Sequence, residues 1–364
     1  MEKYLKRITT LARYSTRSNF LSYEKDPAPH FFNTEIQKLL SSITTLDVQK
    51  IFRKRTVNDN HVSYKFLTDK QLEDEVRNRF KDAEKALQMP PVLKVMNDQP
   101  KTISNDVALT SFSKHSYVFT DVTFGLKNRD RSIVVREPNG ELKEASYDIK
   151  KRAWQIYFPL NDRSFREPKI FEEENFKRLL EEGQYQFLLD RACLQYEPDE
   201  QKYHDITSRI YLHIDEHLKF ESLRSTRHFG PMAFFFAWHK MIDNLLLDMI
   251  RNDYLKNAVE LICLFYKLNN HNEKVENILT ICAKSDNLES RIQNIINDLL
   301  KKNQIVKQID KTDEELRNDE EYLEFIQSYI DKYCLKKPQL ELTLNTYREW
   351  HNELKNIQLK YTVG

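Results

Sequence analysis

Glycine is scarce in this sequence: five are spread over 364 positions, far below the usual share of about 7%. Loops that cradle phosphate need glycines at fixed spacing, so that the backbone can close on the ligand. Neither GxGxxG nor GxxxxGK[ST] occurs, which argues against a nucleotide-dependent enzyme, and no cofactor is expected. The four cysteines (Cys193, Cys263, Cys282 and Cys334) lie far apart and form no CxxC pair. That spacing supports neither a disulfide framework nor a thiolate zinc site. Buried free thiols in a reducing compartment are the expectation, including Cys193 within "LLDRACLQY". Long apolar runs are missing as well. The most hydrophobic window, Pro231 to Ile250, is broken by His239, Lys240, Asp243, Asn244 and Asp248. A membrane span needs about 20 nearly uninterrupted apolar residues, so this window reads as a core helix. A global field is absent too, because 57 Lys and Arg face 56 Asp and Glu. Any nucleic-acid contact has to come from local patches.

What is present begins at the N-terminus. "MEKYLKRITTLARYSTRSNFLSY" carries Lys3, Lys6, Arg7, Arg13 and Arg17 against Glu2 alone. Leu5, Ile8 and Leu11 recur at helical spacing opposite the basic side chains, and Ser and Thr fill much of the rest. This is the composition of a mitochondrial transit peptide; the plainer alternative is a basic amphipathic helix. Cleavage is expected between Arg13 and Tyr23.

The length allows two domains, or one with extensions. A helix is expected from Asn33 to Leu46, followed by the basic knot "QKIFRKR". Thr68 and Asp69 read as caps of a helix running to Leu87, with Leu72, Val76, Phe80 and Ala83 on one face. "MPPVL" ends it, since two prolines cannot continue a helix. A polar connector runs to Ser116. "YVFTDVTF" reads as a strand, and "SIVVREPNGELKEAS" as two strands around an Asn139-Gly140 turn. Ser146 is placed to cap a short helix ending near "YFP".

Beyond Pro168 the pattern is helical: Phe171–Glu182, Tyr185–Tyr196, Asp199–Leu218, Pro231–Ile250 and Asp253–Leu268. Amphipathic helices continue beyond, including Leu288–Val306. The run Asp310–Glu324, with eight acids against Lys311 and Arg317, reads as solvated surface or a tail. The fold class is therefore α+β and mainly α, a small antiparallel sheet or hairpin followed by a stacked array of antiparallel helices. Five segments are expected. They are the transit peptide 1–23, a helical segment and connector 24–116, a β-hairpin region 117–168, a helical-hairpin array 169–268, and a C-terminal extension 269–364 with an acidic insertion.

Three patterns invite chemistry. "HIDEH" fits H-x-x-E-H, in which His213 and His217 would hold zinc and Glu216 would activate water. The pattern is short, and the sequence nominates no third ligand. Ser225 lies three residues from His228, without any G-x-S-x-G to support a nucleophile. The basic clusters are the better lead. Lys50, Arg53, Lys54 and Arg55 form one. Arg129, Arg131 and Arg136 form a second, in a stretch (127–169) with eleven Lys and Arg against seven Asp and Glu. Arg224, Arg227 and His228 of "LRSTRHFGP" form a third, just before Pro231, which suits a first helical turn. Guanidinium forks suit phosphate, so these ten residues are the candidate RNA or partner contacts. A mixed charged surface is the bland reading of each.

Eight stretches taken together carry a resemblance: "MPPVL", "YVFTDV", "IVVREPNGELKEAS", "QIYFP", "FEEENF", "EPDEQKY", "LRSTRHFGPM" and the late "LELTLNTY". In this order they resemble the animal mitochondrial small-subunit ribosomal proteins numbered twenty-two in the S series. The resemblance runs from Thr34 to Leu268 and returns at Leu340 to Tyr347; the chain departs from it between Asn269 and Lys337. It implies a structural component of the mitochondrial small ribosomal subunit, in the matrix and without enzymatic activity. It also implies contacts with neighbouring ribosomal proteins and, to a limited extent, with small-subunit rRNA. Two rival readings are a matrix adaptor of helical hairpins without RNA contact, and a zinc peptidase built on His213, Glu216 and His217.

Overall fold

The computed structural model describes residues 21, 23–52, 66–110, 113–269, 278, 279, 282 and 313–362. In chain order the principal elements are α1 (Thr34–Thr44), α2 (Asp69–Ala86), β1 (Thr102–Asn105), β2 (Tyr117–Thr120), β3 (Ile133–Arg136), β4 (Glu141–Glu144), α3 (Tyr147–Tyr157), α4 (Glu173–Glu181), α5 (Tyr185–Gln195), α6 (Gln201–His217), α7 (Phe229–Trp238), α8 (Asp243–Arg251), α9 (Leu255–Leu268), α10 (Asp313–Tyr333) and α11 (Lys337–Thr362). This is a mainly α, α+β chain. Its described residues fall into two compact units, each drawn from separate stretches. One holds Tyr23 and Lys94–Thr207; the other holds Glu24–Leu93 and the residues from Ser208 onward.

The first unit is built around a sheet of order β1-β4-β3-β2, antiparallel throughout. Three strands were expected. The fourth, β1, lies in the polar connector, where its Thr-Ile-Ser-Asn sequence is exposed along its length and carries no alternation to read. The Asn139-Gly140 turn forms as predicted. Gly140 sits at φ +84°, and a Cβ there would collide with the Asp106 carbonyl. The Asp106 amide in turn donates to the Gly140 oxygen at 3.0 Å. Only glycine combines that φ with so close an approach. Ile133 and Val135 of β3 pack on Ala145, Ala153 and Trp154, so α3 covers the core face. Ser146 stands at the start of α3 but makes no side-chain cap. The distant Asp98 does the capping instead, accepting from the Tyr147 amide at 2.9 and 3.0 Å.

The second unit is helical. Asn33 caps α1 by accepting from the Glu35 amide at 2.9 Å. Ile36, Leu39, Leu40 and Ile43 form its buried stripe, at the spacing that lines one helical face. Thr68 and Gln71 form a reciprocal capping box at the start of α2. The window Pro231–Ile250 was expected as one helix and is two. Lys240 turns left-handed at φ 61°, the Met241 amide donates back to the Phe236 carbonyl at 2.8 Å, and α8 restarts at Asp243. That bond closes the last turn of α7.

α10 and α11 pack back onto this core. Phe265 and Tyr266 of α9 meet Tyr329 and Tyr333 of α10 edge-on or tilted, with ring centroids 5.5–6.2 Å apart. The acidic run is thus no tail where it is described, because Tyr322 and Leu323 within it and Phe325 and Ile326 beside it are buried. Glu320, Glu321 and Glu324 take the solvent side of the helix, whereas Asp319 turns inward, 4.0 Å from His351 of α11. Asp243 accepts from the Leu335 amide at 2.9 Å, and Tyr347 donates to Asp253. The late "LELTLNTY" stretch is thereby tied to the turn between α8 and α9. The transit-peptide reading of residues 1–20 and the helix expected at Leu288–Val306 lie outside the described residues. Tyr23 itself is buried, its ring 5.8 Å from that of His204 in a T-shaped contact. No helix of the described residues is long and apolar enough to cross a membrane.

Candidate nucleic-acid and partner interface

The segment Leu223–Phe229 enters α7 in a left-handed turn. Ser225 has φ 58° and faces Thr45, itself at φ 61°. The Ser225 amide donates to the Thr44 carbonyl at 3.0 Å, and the hydroxyls of Ser225 and Thr45 lie 3.0 Å apart. Gly230 follows, where a Cβ would collide with the Met89 thioether; the missing side chain lets the "MPPVL" stretch lie against α7. The helix begins at Phe229, so Pro231 falls within its first turn and is not its first residue.

Arg224 is only 2% exposed. Its Nε donates to Glu221 at 2.8 Å and its Nη2 to Asp248 at 2.9 Å. The guanidinium carbon lies 4.1 Å from the Tyr254 ring centroid and 5.1 Å from that of Phe229, in range of a cation–π contact. Lys50 reaches the same place, donating to the Glu221 carbonyl at 2.5 Å and its carboxylate at 3.2 Å. Lys50, Glu221, Arg224 and Asp248 thus form a neutral network of two cations and two anions. Burial raises the Asp248 carboxyl above the ordinary carboxylate value, although Arg224 pulls it down. His228 is buried as well. Arg227 stays half-buried, its Nε 3.4 Å from His228 Nε2. The expectation that this segment turns its cations outward is therefore corrected for Arg224 and His228: the chain's own acids and aromatic rings enclose the former, and packing encloses the latter.

In the sheet-bearing unit the arginines divide. Arg131 is buried, and it donates to the carbonyls of Asp121, Thr123 and Leu126 at 2.7–3.2 Å while lying 3.4 Å above the Phe158 ring. It organises the loop after β2 and is not available as a surface fork. Arg136 donates to the Gly140 carbonyl at 3.0 Å across the hairpin turn. Arg129 remains half exposed and pairs with Asp199 at 2.7 Å and Glu197 at 3.4 Å.

Those acids belong to the "EPDE" turn before α6, which the sequence gives no reason to connect with the arginines. Arg163 holds Glu197 at 2.8 Å, Lys151 holds Glu200 at 2.7 Å, and the Tyr147 hydroxyl donates to Glu200 at 2.9 Å. Arg53, Lys54 and Arg55 lie outside the described residues.

His213 and His217 share one face of α6, as their spacing demands, but their rings stack with centroids 4.1 Å apart. His217 Nδ1 is 2.9 Å from the His213 carbonyl oxygen. Among the described residues no group of three or more His, Cys, Asp or Glu is placed to hold a metal ion.

Sequence reasoning missed the open side of the sheet. β2 is an edge strand, and Tyr117, Val118 and Phe119 are each about half exposed. Val122 and Phe124 beyond it are also exposed, Phe124 completely. "YVFTDVTF" is apolar enough to read as core. Only the strand order reveals that, among the described residues of this unit, nothing covers it.

Comparison with known proteins covers the earlier stretches, up to residue 270. The family described as mitochondrial 28S ribosomal protein S22 matches residues 29–270. The small ribosomal subunit protein mS22 of Mus musculus is 38% identical over 248 residues, which is 68% of this chain and 69% of that protein. The protein of the same name from Bos taurus is 36% identical over 248 residues, with the same shares covered. The matched region holds α1 to α9 and the whole sheet, so the neutral Arg224 network and the open strand both fall inside it. The chain belongs to the mitochondrial 28S ribosomal protein S22 family.

Proposed function

We propose that this chain is a structural component of the mitochondrial small ribosomal subunit, resident in the matrix and without catalytic activity. The observation that carries the reading is the family match across residues 29–270, together with relatives named as small ribosomal subunit proteins. The chemistry of the chain supports it. The cations that sequence reasoning placed in candidate sites serve internal ties wherever they are buried, as Arg131 and Arg224 do.

Contacts with neighbouring ribosomal proteins are assigned to exposed apolar surface, above all Tyr117, Phe119, Val122 and Phe124. Apolar edge strands are normally blunted in free-standing proteins. Contacts with rRNA phosphate are assigned to the cations that keep solvent access, Arg129, Arg136 and Arg227, and to the basic run Arg53, Lys54 and Arg55. Sedimentation of small subunits through high salt tests the reading. Stoichiometric retention of this chain is expected, whereas its release to the soluble fraction with subunits intact would identify a matrix adaptor.

A further inference from the structure

Between α1 and α2 the helical unit carries a groove of about 980 Å³, large enough for a substantial ligand. Its apolar lining includes Leu46, Leu87 and Met89 over a buried Phe80, and Phe32, 57% exposed, also lines it. The walls are the C-terminal parts of two helices, Gln37 to Thr44 of α1 and Phe80 to Ala86 of α2, with the residues just beyond each. At about 1.5 Å per residue each helical wall is about 10 Å long, room for nearly two turns of a bound helix.

The charge on the walls is one-sided. Lys38 comes from α1, and Lys81 and Lys85 from α2, against Glu84 alone. All three lysines are exposed. Lys85 makes a 3.4 Å pair with Asp82 on its own helix, while Lys38 and Lys81 close no ion pair among the described residues, Lys38 acting on Glu35 only through its charge. This contrasts with Lys50 and Arg224 of the same unit, which acids of the chain neutralise. Lys81 and Lys85 are one helical turn apart, so they match carboxylates that are also one turn apart on a partner.

We propose that this groove takes an acidic amphipathic helix from a neighbouring protein of the small subunit, with its apolar face on Leu46, Leu87 and Met89 and its carboxylates on Lys38, Lys81 and Lys85. An apolar trough with a cationic rim is the helix-in-groove arrangement. The apolar lining favours a peptide over an RNA strand, whose phosphates would need cations along the groove and not only at its rim. The proposal rests on membership of the small subunit and names a class of partner there.

The test uses the full chain carrying a photo-crosslinking side chain at Gln88, incorporated into small subunits that are then purified in high salt. Co-sedimentation of the unmodified chain checks membership separately. The expected crosslink is to one ribosomal protein, at a helix bearing acids four residues apart. Lys38→Glu with Lys81→Glu and Lys85→Glu should lower its yield by about tenfold, the equivalent of one lost charge-assisted contact or more. Lys38→Arg with Lys81→Arg and Lys85→Arg should retain it. A crosslink to rRNA, to a second copy, or to residues 53–65 of the same chain would overturn the proposal. So would an absence of crosslinks at Gln88 when a control at Phe124 gives them, or a yield indifferent to charge reversal. If the charge-reversed chain fails to fold, the crosslinked peptide in the otherwise native chain still decides between these outcomes.

Discussion

In the sheet-bearing unit an acidic turn, Glu197 to Glu200, collects a half-exposed Arg129 together with the more enclosed Arg163 and Lys151. In the helical unit the order is inverted, and a buried arginine, Arg224, collects Glu221 and Asp248. The residue types are the same and the distances similar, so burial makes the difference. A surface pair such as Arg129–Asp199 is screened by water and loses side-chain entropy on forming, so it contributes between nothing and about 1 kcal/mol. A buried guanidinium cannot be rehydrated without opening the core. Removing it strands a carboxylate whose proton affinity burial has already raised. Arg129 can exchange its partners for a phosphate at small cost; Arg224 cannot.

The largest expected effect follows from that contrast. Arg224→Ala should destabilise the isolated protein by about 3 kcal/mol, the range for breaking a buried pair from one side, read as a shift in the urea midpoint. Arg224→Lys should recover only part of this, since an ammonium cannot serve Glu221 and Asp248 as a planar fork. A loss of subunit incorporation with unchanged stability would place Arg224 at a phosphate instead and break the comparison.

Asp215 sharpens it within one unit. This acid is partly buried like Asp248, but its Oδ1 has no hydrogen-bond partner among the described residues. Burial pushes its carboxyl from 3.8 up to about 6, with only partial relief from Asn244 and the Lys336 charge. The folded state therefore binds this proton more tightly than the unfolded state. The stability it contributes is fully present below about pH 4 and is lost as pH rises through about 6. Asp215→Asn should remove that dependence and stabilise the protein at pH 7.5 by about 2–3 kcal/mol. Superimposable stability curves for the wild type and the Asp215→Asn variant across pH 4–7 would refute it.

The smallest effect on stability belongs to Arg129. Arg129→Ala should cost less than about 1 kcal/mol, because Lys151 and Arg163 still hold the acidic turn. If Arg129 meets phosphate in the subunit, the same substitution should make the chain easier to extract with salt. Extraction identical to wild type, with the stability loss as stated, would restrict Arg129 to an internal role.

Much was legible from residue order alone, and for local reasons. The cap at Thr68, the Asn139-Gly140 turn and the helix beginning at Asn33 each depend on neighbours within a few residues. The absence of nucleotide loops and cysteine pairs followed from composition. The ordered family stretches pointed to a ribosomal role that the comparisons sustain. Charge was legible as a quantity but not as a direction. A guanidinium at Arg224 or Arg131 reads the same whether it faces water, a carboxylate or a carbonyl. Glu221 lies three residues from Arg224, but the acid that encloses it sits 24 residues away at Asp248, and Arg131 reaches across a loop to Thr123. Strand order has the same character: that β1 pairs with β4 and leaves β2 at the edge is a long-range choice with no sequence period. Sequence therefore determined most of the helices and the hairpin, since helix and turn energies are local, but not β1 or the break between α7 and α8. Only the tertiary structure decided which cations are neutralised, which acids are raised by burial and which apolar strand stays open, because those depend on what the rest of the chain places within a few ångströms.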